Sequence, residues 1–204
     1  MYHRSPPAPF RIHAQPGPTR VRCRRLRALG IGVATLRLSA GSYRVASAKP
    51  VPSDVAESDN AAWVHLTTWG SWKGHPDGEF EFGDAVFRQI VTNFKRQQTP
   101  VPFKYEHPDY VPDGSPVPSS GKIYDIRVDD DGLWGFTLFT DRAAEMIRAA
   151  EYEYCSVVVD FAAKDRVDAE EVGAELFEVG LTDHPFIDGQ HPIRLPDLAV
   201  SEAA

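Results

Sequence analysis

The pattern of hydrophobic and polar positions along residues 61–182 alternates short strand-like stretches with two helical ones. Short apolar or alternating runs predict strands over 63–69, 101–106, 123–128, 133–139, 154–162 and 176–182. From Asp84, four apolar residues at helical spacing predict a helix that ends before Thr99-Pro100: Phe87, Ile90, Val91 and Phe94. A second helix is predicted from the cap residue Thr140 to about Ala150, with its inner face made by Ala143, Met146, Ile147 and Ala150.

The segments between these elements carry turn signals. Asp129-Asp-Asp-Gly132 predicts a hairpin, because Asp-Gly tolerates the positive φ of a tight turn. Residues 70–78 are predicted to be a loop, and 107–119 hold four prolines, too many for the interior of a sheet. The order of elements favours an α+β domain, a mostly antiparallel β-sheet or small barrel with two main helices, over a doubly wound α/β fold.

Charge divides the chain into two parts. Residues 1–50 contain ten Lys and Arg and no acidic residue, whereas the other 154 hold 12 basic and 29 acidic residues, a formal net charge of −17. The basic part lacks a sustained apolar period and is predicted to be a disordered leader. We therefore expect a leader over 1–59, a folded domain over 60–192 and a flexible tail over 193–204.

Two other interpretations of the leader stay open. Arg24-Arg25-Leu-Arg27 precedes a short apolar stretch and Ala46-Ser-Ala48 resembles a cleavage site, as in an export signal, but the stretch contains glycine and is closed by Arg37. A nucleic-acid-binding arm is the other alternative to an inert leader. No stretch reaches the roughly 18 apolar residues of a membrane span, so we expect no membrane association.

Candidate chemistry lies in two of the predicted strands. His107 ends one strand and Ser156 lies inside another, and a serine needs a base such as histidine to become a nucleophile. Alternation along the strand places Ser156 and Cys155 on opposite faces, so only one of them can face a site. The alternative for Ser156 is a strand serine bonded to a neighbour, and that for His107 is a loop histidine before a proline, as at His75, His184 and His191.

Other functional classes are less well supported by the sequence. Two cysteines, Cys23 and Cys155, make no disulfide framework, which is typical of a reducing compartment. His75-Pro-Asp77 and His107-Pro-Asp109 could supply metal ligands, although neither has the helical spacing of a zincin and the prolines indicate turns. No glycine-rich phosphate loop and no Gly-x-Ser-x-Gly elbow occurs. We therefore expect no cofactor and no metal.

Six short segments in a fixed order resemble the Mu-like prophage I protein family of phage prohead maturation proteases. They are Lys104-Tyr-Glu-His107, Ser120-Gly-Lys-Ile-Tyr124, Asp131-Gly-Leu-Trp134, Phe139-Thr-Asp141, Glu151-Tyr-Glu-Tyr-Cys-Ser156 and Val179-Gly-Leu-Thr-Asp-His-Pro185. The resemblance runs from about Trp63 to Pro192. Members often carry Asp and Pro where this chain has Lys104 and Val157.

The resemblance implies a serine endopeptidase that digests the internal scaffold, and often itself, during capsid maturation. It implies an assemblin-like barrel, as in herpesvirus assemblins, with Ser156 as nucleophile and His107 as base. Glu178 is the first choice for the third catalytic residue, because related proteases draw a carboxylate from the corresponding strand; Asp183 and His184 are rivals. The alternative for Glu178 is a solvent-facing strand carboxylate.

The same resemblance implies where and with what the protein works. The expected partners are a scaffold protein, capsid precursor proteins and other copies of this chain, with no nucleic acid and no membrane. The expected location is the host bacterial cytoplasm, inside the capsid precursor. A capsid-assembly or scaffold factor without catalysis on the same fold stays open as the second function, and a metal-dependent hydrolase as the third.

Overall fold

The computed structural model describes residues 45–46, 49–107 and 117–197. Its elements in chain order are β1 (Val45–Ala46), α1 (Ser53–Ala56), β2 (Ala61–Thr68), β3 (Gly70–Trp72), β4 (Phe80–Phe82), α2 (Asp84–Arg96), β5 (Val101–Tyr105), β6 (Ser119–Asp129), β7 (Gly132–Phe139), α3 (Asp141–Arg148), β8 (Tyr154–Lys164) and β9 (Glu171–Thr182). The predicted α+β class with two main helices is confirmed. Residues 1–44 of the predicted leader, most of the proline-rich loop and residues 198–204 lie outside the described residues.

One curled, mixed sheet forms the body of the domain. Its strand order is β2-β7-β6-β5-β9-β8, with β1 added beside β6, and β3 and β4 form a separate hairpin. All neighbouring strands of the sheet are antiparallel except β5 and β9, which are parallel. The sheet curls so that its two end strands approach each other, and Cys155 Sγ of β8 lies 3.5 Å from His65 O of β2. The result is a half-barrel.

Helix α2 packs its apolar stripe into the core, as its periodicity predicts. Phe87, Ile90, Val91 and Phe94 are buried. Asn93, also buried, donates hydrogen bonds to Val172 O (3.0 Å) and Ala174 O (2.8 Å) at the start of β9. These bonds attach the helix to the strand that ends at the candidate site.

The segment after β9 covers the seam between β2 and β8. Gln190 donates from Nε2 to Leu66 O of β2 (2.7 Å), and Ile193 N–H donates to Glu153 O just before β8 (2.7 Å). Ile187 and Ile193 of this segment are buried. Ile193, which the sequence analysis places in the C-terminal tail, is thus packed against the domain.

Several element boundaries differ from the sequence-based prediction. Residues 70–78 were expected to be a loop, but residues 70–82 contain the hairpin β3–β4. Trp72 and Phe80 stack across this hairpin with ring centroids 5.6 Å apart, and this aromatic contact stabilises a pair of strands that lacks an alternating pattern. Helix α3 ends at Arg148, and Ala150 is exposed with φ 56°, so it does not belong to the inner face. Part of the predicted leader is structured too, because Val55 of α1 is buried.

Candidate active site

Ser156 lies on the face of β8 that points away from the core. It is in register with Gly180 of β9, and Gly180 is in register with Lys104 of β5, so the three residues form one row across three strands. The adjacent pair Cys155 and Leu181 alternates to the other face and is buried in the core. The row that contains Ser156 therefore lies on the outer face of the sheet.

The chain turns sharply after β5 and brings His107 over this row. Glu106 has φ 54°, a left-handed conformation that ends the strand, and its N–H donates to Leu181 O (2.9 Å). A Cβ atom at Gly180 would lie 2.9 Å from Glu106 O and 3.1 Å from His107 Cε1. The imidazole thus lies against the space that a side chain at position 180 would fill, in the row that contains Ser156. Position 180 therefore requires glycine, because Glu106 and His107 approach its backbone closely.

A β-bulge determines the direction of Glu178. Val158 pairs with Glu178 and Val159 with Leu176, so Phe177 is an extra residue in β9. The extra residue lets Leu176 face the core while Glu178, two positions later, faces the site, although regular alternation would put both on the same side. Bulges re-aim side chains in this way beside active sites.

The Glu178 carboxylate contacts two residues of the site. Its Oε1 lies 3.7 Å from His107 Nδ1, and its Oε2 lies 2.6 Å from Lys104 Nζ. The side chain of Glu178 is 6 % exposed, so it is not the solvent-facing carboxylate that its sequence context allowed. The separation between Glu178 Oε1 and His107 Nδ1 is longer than a hydrogen bond.

The two rivals of Glu178 have other roles in the structure. Asp183 Oδ1 accepts a hydrogen bond from Glu153 N–H (3.0 Å). His184 N–H donates to Thr182 Oγ1 (3.2 Å), and both Asp183 and His184 are exposed. Of the three alternatives, Glu178 is the one that lies 3.7 Å from His107.

Cys155 is placed where it cannot act as a nucleophile. It is 1 % exposed, and its Sγ lies 3.5 Å from His65 O and 3.9 Å from Leu66 O. Burial raises the pKa of the Cys155 thiol far above its ordinary value, which keeps it protonated. Its role is that of a small buried residue, on the face of β8 opposite to Ser156.

The metal ligands considered from the sequence form no cluster among the described residues. His75 Nδ1 accepts a hydrogen bond from Asp77 N–H (3.2 Å), the local turn that the intervening proline indicates. Asp109, of the second His-Pro-Asp unit, lies outside the described residues.

A different group, which the sequence analysis did not identify, is the one set in the described part of the chain that could hold an ion. It consists of His65, Asp131 and His191, whose ligand atoms lie within 4.8 Å of one another. His65 Nδ1 accepts the His191 N–H (3.1 Å), and its Nε2 faces Asp131 O (3.2 Å), which requires the Nε2–H tautomer. Both ring nitrogens are therefore occupied by the backbone. A metal on Nε2 would need a proton on Nδ1, where the His191 N–H already points.

Sequence reasoning also missed the positions of Lys104 and Gly180 in the site. A signal was present for Lys104, since a charged residue between Phe103 and Tyr105 in a strand must point away from the face that those two share. No signal within the sequence distinguishes Gly180 from other glycines, because its neighbour His107 is distant along the chain.

The fold and the site together define a curled half-barrel with a Ser-Gly-Lys row, a histidine and a buried carboxylate on its outer face. The family model of the Mu-like prophage I protein, N-terminal domain, matches residues 64–194, well over half of the chain. The chain therefore belongs to the Mu-like prophage I protein family. Comparison with curated proteins and with solved structures gave no match. No helix in the described ranges is long and apolar enough to cross a membrane.

Proposed function

We propose that this protein is a serine endopeptidase that cleaves the internal scaffold, and segments of its own chain, during maturation of a phage capsid. The observation that carries the proposal is the placement of His107 over Gly180, the cross-strand neighbour of Ser156, with the Glu178 carboxylate 3.7 Å from His107 Nδ1. Membership of a prophage protein family supports the phage setting. The proposed location is the capsid precursor in the host bacterial cytoplasm.

Each residue has one role in the proposed reaction. His107 Nδ1 faces the Glu178 carboxylate, and in the proposed reaction Nε2 takes the proton of Ser156 Oγ as the oxygen attacks the scissile carbonyl carbon. The same proton passes to the leaving amine as the C–N bond breaks. Water then attacks the acyl-serine with His107 again as base, which releases the acid and restores Ser156.

A reactive probe tests the nucleophile without knowledge of the natural substrate. Purified full-length protein is incubated with a fluorophosphonate, and the adduct is located by peptide mass spectrometry. We expect one adduct on Ser156, lost in Ser156→Ala and greatly slowed in His107→Ala and Glu178→Gln. Ser71→Ala, an exposed serine of the β3–β4 hairpin, is the matched control and keeps the adduct.

A second experiment tests the substrate. The protein is incubated at high concentration, alone and with the scaffold candidate from the neighbouring gene, and the masses of all products are measured. Fragments formed by wild type and by Cys155→Ala but not by Ser156→Ala support the endopeptidase. An adduct without fragments would contradict scaffold cleavage while leaving the nucleophile intact.

A capsid-assembly factor on the same fold is the second candidate function. One observation favours it: Lys104 lies closer to Glu178 than His107 does, 2.6 Å against 3.7 Å, as in an ion pair with a purely structural role. This function predicts no adduct on Ser156 and no fragments. It also predicts that Ser156→Ala assembles capsid precursors as well as wild type does.

Self-association is part of the proposal. A protease that acts only within a closed shell is expected to have low activity as a dilute monomer. Labelling of Ser156 is therefore expected to accelerate with protein concentration, and full activity in a dilute, monomeric sample would contradict this.

A further inference from the structure

The buried carboxylate of Glu178 is held at both of its oxygens. Lys104 Nζ lies 2.6 Å from Oε2, and His107 Nδ1 lies 3.7 Å from Oε1. The Glu178 side chain is 6 % exposed and that of Lys104 is 27 % exposed. A polar group with so little exposure is costly to bury unless it has a charged or hydrogen-bonding partner. The shorter contact identifies Lys104 as that partner.

The sheet register explains why a lysine can reach this carboxylate. Lys104 is in register with Gly180 on the neighbouring strand, and Glu178 is two residues along β9 on the same face. With a strand spacing of about 4.8 Å and a rise of about 3.3 Å per residue, Lys104 and Glu178 lie about 8 Å apart at the backbone, a distance that the four-carbon stem of lysine spans. Gly180 has no side chain to block the path.

We propose that Lys104 is a positioning residue of the Ser156 site, which fixes the Glu178 carboxylate by one oxygen so that the other faces His107. The inference rests on the proposed endopeptidase function and extends it to a fourth residue. Lys104 is not a catalytic residue in this scheme. β9 separates it from Ser156, and its ammonium group is occupied by Glu178.

The charge balance of the site explains why Lys104 would hold Glu178 in position. The ammonium group and the carboxylate together are neutral, so the imidazole lies beside a fixed hydrogen-bond acceptor rather than beside an uncompensated buried charge. Without Lys104, the carboxylate loses its anchor and can turn away from His107. A displacement of about 1 Å in a catalytic group lowers the rate by about a hundredfold.

The experiment compares Lys104→Met, Lys104→Arg, Glu178→Gln and the Lys104→Met/Glu178→Gln double variant in the full-length chain. We would measure the rate at which the fluorophosphonate labels Ser156. With a peptide that the wild-type protein cleaves, we would also measure kcat and KM separately. Lys104→Met is expected to lower labelling and kcat by about a hundredfold with KM nearly unchanged. Lys104→Arg is expected to restore much of the loss, because it keeps the charge that holds Glu178.

The double variant separates positioning from an independent role. If Lys104 acts through Glu178, the double variant is no slower than Glu178→Gln alone. Losses that multiply would overturn the proposal. The proposal would also be overturned if Lys104→Arg were inactive while Glu178→Gln stayed active, because Lys104 would then be the base. Lys122→Met, an exposed lysine on the adjacent strand β6, is the matched control and keeps the wild-type rate.

A measurement that needs no turnover keeps this inference separate from the proposed function. Long-range ¹H–¹⁵N spectra of the histidine rings report which nitrogen of His107 carries the proton, assigned with His107→Ala. We expect the Nδ1–H form in wild type and its loss or mixing in Lys104→Met. If wild type is never labelled at Ser156, the endopeptidase fails, but this spectral change still supports the positioning of the Glu178–His107 pair. Unchanged His107 signals in Lys104→Met would overturn it in either case.

Discussion

Cys155 and Ser156 are adjacent in the chain, yet they face opposite sides of β8. Ser156 shares a row with Gly180 on the outer face, and Cys155 packs against the backbone of β2 in the core. A reagent that reaches one side chain is therefore kept from the other by the thickness of the sheet.

The first prediction concerns the reactivity of this pair. In the native protein, iodoacetamide is expected to leave Cys155 unmodified, since burial raises the pKa of its thiol and blocks access. The same reagent is expected to modify Cys155 rapidly in 6 M guanidinium. Peptide mass spectrometry distinguishes Cys155 from Cys23. Rapid alkylation of Cys155 in the folded protein, with loss of activity, would contradict the assignment of Ser156 as nucleophile.

The second prediction concerns the glycine beneath His107. Gly180→Ala places a methyl group 2.9 Å from Glu106 O and 3.1 Å from His107 Cε1, so the turn that carries the imidazole must shift. Overpacking of this kind costs about 1–3 kcal/mol of unfolding free energy. Urea denaturation is expected to show that loss, and labelling of Ser156 is expected to fall by more than tenfold.

Gly74→Ala is the matched control for that substitution. No atom lies within 4 Å of a Cβ at Gly74, so both stability and labelling are expected to remain at wild-type values. Wild-type labelling in Gly180→Ala would mean that His107 does not need its observed position.

The third prediction concerns the pH dependence of stability. Burial, with a smaller contribution from His191, lowers the pKa of His65 below its ordinary value of 6.5, although Asp131 partly opposes this. The unfolded chain therefore binds more protons than the folded one as the pH falls below about 6.5, and the free energy of unfolding decreases there. Protonation at Nδ1 would also set an N–H against the His191 N–H that it now accepts.

Urea denaturation between pH 7.5 and 5 measures this effect. His65→Gln retains an acceptor and a donor but cannot titrate, so its stability is expected to change less over the same interval. His184→Gln, at an exposed histidine, is expected to follow wild type. A wild-type stability that is constant from pH 7.5 to 5 would contradict the prediction.

The fourth prediction concerns metal ions. Because both nitrogens of His65 are hydrogen-bonded to the backbone, the His65, Asp131 and His191 group is not arranged as a ligand set. We expect that EDTA leaves the labelling of Ser156 unchanged and that one equivalent of Zn²⁺ leaves the melting temperature unchanged. A rise in melting temperature with Zn²⁺ that disappears in His191→Ala would show that the group reorganises to bind metal.

Local patterns in the amino-acid sequence were sufficient to predict much of the fold. The apolar spacing of α2, the Thr140 cap of α3 and the Asp-Gly turn between β6 and β7 each depend on residues a few positions apart. Such features are encoded in short segments and can be inferred from them. The hairpin β3–β4 was missed because its pairing depends on aromatic contacts across a loop rather than on alternation.

The amino-acid pattern was enough to predict the class of fold and the placement of Ser156 and Cys155 on opposite faces of one strand. It offered Ser156 and His107 as candidates, and the family resemblance selected His107 and added Glu178. Alternation and helical period are properties of the local backbone, so they can be inferred from one chain. The parallel pairing of β5 with β9, the bulge at Phe177 and the contact between His107 and Gly180 could be seen in the folded chain alone. The physical reason is that strand order and register are set by the packing of the whole core, which joins residues far apart in the chain. Lys104 and Glu178 are neighbours because this packing places β5 beside β9.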